Sequence, residues 1–202
     1  MGCALVERLI LEPPLILGSS SPRRARILRE LGIDPVVDPP GIPEDPLDGE
    51  APEEHVLRLA AEKALSVSGR YSTGTVVGAD TIVLFEGRIL GKPVDPPDAV
   101  RLLRMLRGRR HDVFTGVSVV RCSDGASEAG VARTRVSMRD LSDREIGLYV
   151  DGEEPLDKAG AYGIQDCGAA VVAGVEGCFY NVVGMPVVLL CELLGRLHSG
   201  TP

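Results

Sequence analysis

Leu15-Ile16-Leu17-Gly18-Ser19-Ser20-Ser21-Pro22-Arg23-Arg24 reads as a buried strand that empties into the start of a helix built to hold an anion. Leu15 to Leu17 is a short apolar run, and Gly18 with three serines makes the turn. Ser21 stands where an N-cap is wanted, and Pro22 suits the first helical position, where its missing N–H costs nothing. The helix should run from Pro22 to Leu31 and stop at Gly32. Its unsatisfied N–H groups and the positive end of its dipole, beside several hydroxyls and two arginines, suit a phosphate or another anion. Taken alone, the turn fits a capped surface helix with ordinary exposed arginines as well as it fits an anion site. The rest of the chain decides between the two.

A chain of 202 residues is long enough for one α/β domain, or a compact two-lobed one, with a substantial core. Hydrophobic residues are 44% and charged residues 25%, a globular rather than a disordered composition. With no tryptophan, 3% aromatics and a net charge of −7, neither a stacking platform for single strands nor a general polyanion binder is expected. Nucleic acid is therefore not expected as a partner, although a local anion pocket is compatible with these numbers. The five cysteines (Cys3, Cys122, Cys167, Cys178, Cys191) are odd in number and form no C-x-x-C pair, so neither a disulfide framework nor a zinc site is suggested. No apolar run approaches a membrane span, and the opening residues lack a basic region followed by an uncharged core, so the expectation is a cytoplasmic chain with no membrane partner. Residues 1–14 read as an N-terminal extension ended by Pro13-Pro14, ahead of a single domain over 15–202.

Beyond the first helix, Asp34 to Asp38 reads as a second strand. Pro39 to Pro52 is a proline-rich acidic loop carrying Glu44, Asp45, Asp48 and Glu50. Long loops of this kind are often functional, and a carboxylate such as Glu44 facing a phosphate site could hold a divalent cation. From Pro52 to Val67, apolar residues recur at three- and four-residue steps, with Glu53, Glu54 and Arg58 pointing outward. Lys63 falls on the apolar stripe. Either its stem lies along the core with the ammonium in water, or the lysine is aimed into a cleft.

Thr75 to Phe85 is a β-rich run with Asp80-Thr81 in its middle, and Glu86-Gly87 turns it into a second short strand. An unpartnered aspartate inside such a strand costs several kcal/mol, on the order of 2–7, so Asp80 needs partners or an open cleft. Gly78 beside it indicates either a close backbone approach or a bulge. Gly91-Lys92-Pro93 is not a Walker loop, because Pro93 replaces the required hydroxyl, yet Lys92 could present a point charge to a phosphate. A helix from Pro96 to Leu106 should turn Val100, Leu103 and Leu106 inward and Arg101, Arg104 and Arg107 outward. His111 to Arg121 and Ser127 to Met138 read as a long hairpin, and Ser142 with Glu145 as a capping box. The small-residue stretch from Glu154 to Gln165 suits a close backbone or ligand approach. Strands around Ala170 to Val172 and Phe179 to Val182 and an apolar helix to Leu197 close the chain.

Five blocks now stand in order: Ser19-x-Ser21-Pro22-Arg23-Arg24, Gly78-Ala79-Asp80-Thr81, Gly91-Lys92-Pro93, Thr115-Gly116, and Asp157-Lys158-Ala159-Gly160-Ala161-Tyr162-x-Ile164-Gln165. Asn181-Val182-x-Gly184-Met185-Pro186 follows them. The set resembles the Maf family of nucleoside triphosphate pyrophosphatases, in the branch acting on thymidine and uridine triphosphates. The resemblance implies an α/β fold with a central mixed sheet, flanking helices and two lobes around a cleft, as in inosine triphosphate pyrophosphatases. It also implies hydrolysis between the α and β phosphates with Mg²⁺ or Mn²⁺ as cofactor.

By motif position, Asp80 matches the family's catalytic carboxylate, as general base or metal ligand, and Glu44 joins it on the metal. Ser19, Ser21, Arg24, Lys63 and Lys92 fall to the phosphates, and Arg23, Thr81 and Gln165 to substrate selection. The methylguanosine-triphosphate branch carries Trp, Gln and Glu at those last three positions. Gln165 offers a donor and an acceptor on one amide, which matches the O4 acceptor and N3–H donor of uracil or thymine. The resemblance leaves two alternatives, a pyrophosphatase for modified purine nucleotides and a nucleotide-binding regulator of septum formation with no required catalysis. It also brings the family expectation of a homodimer.

Overall fold

The computed structural model describes Ile10, residues 12–152 and residues 154–199, so most of the expected extension over 1–14 lies outside the described residues. In chain order the elements are β1 (Leu15–Gly18), α1 (Pro22–Glu30), β2 (Val36–Val37), α2 (Pro52–Ser68), β3 (Thr75–Phe85), β4 (Arg88–Leu90) and α3 (Pro96–Leu106). Then follow β5 (Arg110–Arg121), β6 (Ser127–Met138), α4 (Asp143–Asp151), β7 (Val172–Glu176), α5 (Phe179–Val183) and α6 (Val187–Ser199). Short 3₁₀ turns fill Glu154–Asp157, Ala159–Ala161 and Asp166–Ala170.

Among the described residues, seven strands form one mixed sheet in the order β2-β1-β3-β5-β6-β7, with β4 on β3. β1 runs parallel to both β2 and β3, each reached through a helical crossover, whereas β3–β4 and β6–β7 are antiparallel. Among the described residues no helix is long and apolar enough to cross a membrane.

The chain divides into two compact units. The first comprises residues up to Asp80, Thr115–Ala132 and the chain from Gly184; the second comprises Thr81–Phe114 and Arg133–Val183. In the first unit, α2 buries Val56, Leu59, Ala60, Ala64 and Val67, the stripe its spacing predicts. Ala64 and Val67 pack with Ile16, Val76 and Val120. The helix approaches the strands closely because each of three strands presents a glycine to it. A Cβ at Gly116 would stand 2.1 Å from the Val56 carbonyl oxygen, at Gly78 2.3 Å from that of Ala60, and at Gly18 3.3 Å from that of Lys63. The β1–β3 register runs unbroken to Gly18↔Gly78, so Gly78 serves a close approach and not a bulge.

The second unit has its own core, in which Val83, Phe85 and Leu90 meet α3, α4 and the 3₁₀ segment. In α3 the buried residues are Ala99, Leu102, Leu103 and Leu106, an i, i+3, i+4, i+7 set. Val100, expected inside, is half-buried, because a stripe drawn through 100, 103 and 106 drifts off a 3.6-residue period. Ser142 and Glu145 form the expected capping box. Phe179 to Val182, expected as a strand, is the helix α5. It sits between Gly177 and Gly184, both at positive φ, and a run of five residues carries too little periodicity to separate the two states. Its Asn181 is fully buried and donates through Nδ2 to the Val113 carbonyl at 3.0 Å and the Thr134 hydroxyl at 2.9 Å.

His111, buried at the start of β5, lies with Nε2 2.6 Å from the Tyr162 hydroxyl, while Nδ1 has no partner among the described residues. Burial pushes its pKa down from 6.5 to about 4, against the opposing charge of Asp112. The unfolded imidazole thus takes up its proton near 6.5 and the folded one only near 4, so this stability is complete above the first value and is lost as pH falls toward the second. The difference corresponds to about 3 kcal/mol. His111→Gln is expected to flatten the fall in urea-unfolding stability between pH 6.5 and 4; parallel curves for the two proteins would remove His111 as its cause.

Candidate active site

In the first unit the turn between β1 and α1 is organised by Ser19. Its buried hydroxyl accepts from the Ser21 N–H at 3.2 Å and from Arg24 Nη1 at 2.9 Å. Arg24, also buried, donates through Nε to the Gly184 carbonyl at 2.8 Å, which ties the turn to the Gly184-Met185-Pro186 block 160 residues away. Ser21 takes the N-cap position, but its hydroxyl makes no capping bond, contrary to the expectation. Ser19 does the local hydrogen bonding in its place. Burial lowers the Arg24 pKa; the Asp80 and Glu44 carboxylates oppose that shift, and the Arg23 charge adds to it. One guanidinium therefore feels both expected acidic residues and the neighbouring arginine. Arg23 itself is half-buried in the first turn.

Helix α2 carries Lys63 inward. Its ammonium is neither in water nor unpaired: Nζ lies 2.7 Å from Asp80 Oδ1 and 2.5 Å from Glu44 Oε1. Lys63 is 4% exposed and Asp80 7%, while the Glu44 side chain on the 39–51 segment is 59% exposed. The aspartate buried inside an apolar strand thus has the partner its burial demands. The close approach at Gly78, two residues before Asp80, is what lets an α2 side chain reach it.

In the second unit Thr81, half-buried, follows Asp80 directly along β3. Lys92 is exposed, next to the buried Pro93. Gln165 is half-buried and precedes the Asp166–Ala170 turn, where its carbonyl accepts from the Gly168 N–H at 2.9 Å. The Gly160 N–H donates to the Gly91 carbonyl at 3.0 Å, so the Lys92 strand end and the Gln165 segment belong to one bonded assembly. That segment is held further by Tyr162 on His111 and by the Gly163 N–H on the Tyr149 hydroxyl at 3.1 Å. Thr115 is buried and Gly116 lies against α2, a packing role for that block.

One cluster escaped the reading of the residues. Glu50, placed in the acidic loop, and Arg58, placed on the outer face of α2, are bonded to one another and to His55. A glutamate immediately before the helix-starting Ala51-Pro52, with a histidine and an arginine five and eight residues on, was the available signal.

A mixed sheet packed by a helix whose lysine is shared by two carboxylates, beside a serine turn backed by a buried arginine, is the equipment of an α/β protein that handles phosphate groups. Residues 14–197 match the family described as Maf-like protein, and the chain belongs to that family. It is 45% identical over 185 residues to a dTTP/UTP pyrophosphatase of Dictyoglomus thermophilum, covering 91% of this chain and 95% of the relative. It is 47% identical over 180 residues to the dTTP/UTP pyrophosphatase of Moorella thermoacetica, covering 89% and 93%. A third relative, the dTTP/UTP pyrophosphatase of Anaeromyxobacter dehalogenans, is 46% identical over 192 residues, covering 94% and 97%.

Proposed function

We propose that the chain is a cytoplasmic nucleoside triphosphate pyrophosphatase, acting as one catalytic domain over 15–202, that hydrolyses dTTP and UTP to the nucleoside monophosphate and pyrophosphate. The observation that carries this reading is the Lys63 ammonium held 2.7 Å from Asp80 and 2.5 Å from Glu44, beside the Ser19–Arg24 turn. Water attacks the α phosphorus, the bond to the oxygen bridging to the β phosphate breaks, and pyrophosphate leaves. Asp80 either accepts the proton of the attacking water or binds the metal, two roles separated by whether Asp80→Asn still binds Mn²⁺. Lys63, Arg24 and Lys92 neutralise charge on the phosphate oxygens, and the Ser19 and Ser21 turn orients them.

The donor set fits a small hard cation. Two carboxylates already drawn to one ammonium offer oxygen ligands. Glu44 and Asp80 would hold the cation. Mg²⁺ or Mn²⁺, when bound, would supply charge neutralisation at the phosphates.

Base selection falls to Arg23, Thr81 and Gln165, with the Gln165 amide pairing to O4 and N3–H of the pyrimidine. The test is a panel of ribo- and deoxynucleoside triphosphates with Mg²⁺, with the products separated. Pyrophosphate from dTTP and UTP, with purines slower by at least about tenfold, is expected. Gln165→Glu sets an acceptor against O4 and should lower kcat/KM for UTP on the order of 100-fold. Diphosphate and phosphate as products would refute the reaction; turnover confined to purines would refute the base assignment.

A further inference from the structure

Glu44 is exposed, so burial does not hold it; what holds it is the backbone of the 39–51 segment. That segment is fastened to α2 and to the turn after it at two places. At its start, Arg70 pairs with Asp38 and donates to the carbonyls of Pro39 at 3.3 Å and Pro40 at 3.1 Å. At its far end Arg58 makes a planar fork onto Glu50, with Nε 2.6 Å from Oε1 and Nη2 2.9 Å from Oε2. The same Nη2 donates to the carbonyl of Asp45, the residue after Glu44, at 3.2 Å. Glu50 is locked in turn by His55 Nδ1 at 2.9 Å and by the Leu47 N–H at 3.1 Å. The Glu50 and His55 side chains are 7% and 4% exposed, a degree of burial unusual for a loop carboxylate. The Arg58 hydrogen bonds pull the Glu50 carboxyl down to about 2, so the fork stays ionised at any ordinary assay pH.

We infer that Arg58, oriented by Glu50, is a positioning residue that holds the Asp45 carbonyl and thereby sets Glu44 against Lys63. The inference rests on the proposed pyrophosphatase reading, in which Glu44 serves the metal. One helix then does two jobs: Lys63 pairs with the carboxylate, and Arg58, five residues earlier, holds the main chain that delivers it. A lysine at position 58 keeps the charge but cannot span both Glu50 oxygens and the Asp45 carbonyl, because it is a point charge and not a fork.

The experiment compares wild type with Arg58→Lys, Glu50→Gln and the control Glu62→Gln, whose exposed carboxylate pairs with Arg58 Nη1 and not with the Nε–Nη2 edge that holds the loop. Hydrogen exchange of the Glu44, Asp45 and Leu47 amides is measured without nucleotide, and kcat, KM and the Mg²⁺ concentration for half-maximal rate are measured with UTP. Arg58→Lys and Glu50→Gln are expected to speed exchange at these amides. They should raise the half-saturating Mg²⁺ about tenfold and lower kcat about tenfold, with KM for UTP within about twofold, while Glu62→Gln behaves as wild type. Faster exchange with unchanged kcat and Mg²⁺ dependence would reduce the clamp to a structural tether and overturn the inference, as would unchanged exchange. If wild type releases no pyrophosphate from any nucleotide, the functional reading falls. The clamp is then judged on exchange together with Mn²⁺ affinity by calorimetry, where equal affinity in wild type and Arg58→Lys overturns it.

Discussion

Asp80→Asn is expected to lower kcat for pyrophosphate release about a thousandfold while leaving the protein folded. The magnitude follows from removing a positioned proton acceptor or a metal carboxylate, each of which supplies a factor of roughly 10² to 10⁴. The fold should survive because an amide oxygen can still accept the Lys63 N–H that Asp80 Oδ1 accepts at 2.7 Å, and because Lys63 keeps Glu44 as its ionic partner at 2.5 Å. The Glu44 carboxylate already lies against the ammonium, so no uncompensated charge is left in the interior. Rates from product separation, with circular dichroism as the folding control, check the prediction. Turnover within a factor of a few of wild type would take Asp80 out of the chemistry. Mn²⁺ titration of the same variant divides the two roles: retained affinity assigns Asp80 to proton acceptance, and lost affinity assigns it to the metal.

Much of this site could be read from residue order because the chain marks its elements locally. β3 is bounded by Gly74 and by Glu86-Gly87, and its interior is so apolar that one aspartate stands out; the strand runs from Thr75 to Phe85 as read. α2 announces itself by period, starting at Pro52. What resisted reading depends on partners distant in sequence. Whether Lys63 snorkels or turns inward depends on Asp80, 17 residues on and in another element. Ser21 carries every local mark of a cap, yet the turn's hydrogen bonds go to Ser19, because Arg24 is anchored by a carbonyl 160 residues away and donates back to it. Arg58 looks solvated by helical phase, since nothing in the spacing says that a loop will fold its only near-buried carboxylate over it. Phe179 to Val183 was too short for either period to declare itself.

The glycines under α2 are sensitive positions for stability. Gly116→Ala is expected to destabilise the protein by about 4 kcal/mol or more, and Gly78→Ala by about 3. Neither loss comes from backbone strain; both come from what the new methyl meets. At Gly116 it would stand 2.1 Å from the Val56 oxygen and 2.4 Å from its carbon, and at Gly78 2.3 Å from the Ala60 oxygen and 2.7 Å from the Ala64 nitrogen. These are main-chain atoms within a helix, so no rotamer change relieves the overlap, and the helix itself must lift away from the sheet. A lift of about an ångström would also draw Lys63 from Asp80, and displacements of that size cost a catalytic arrangement up to about a hundredfold. Urea unfolding gives the stability term. Gly78→Ala, the milder of the two, should still fold and show the kinetic loss. Gly147 is the control: a Cβ there meets nothing within 4 Å, and it lies within α4, so Gly147→Ala should leave activity unchanged and raise stability slightly. Unfolding midpoints for Gly78→Ala and Gly116→Ala equal to that of wild type would mean that α2 does not depend on these contacts for its distance from the sheet.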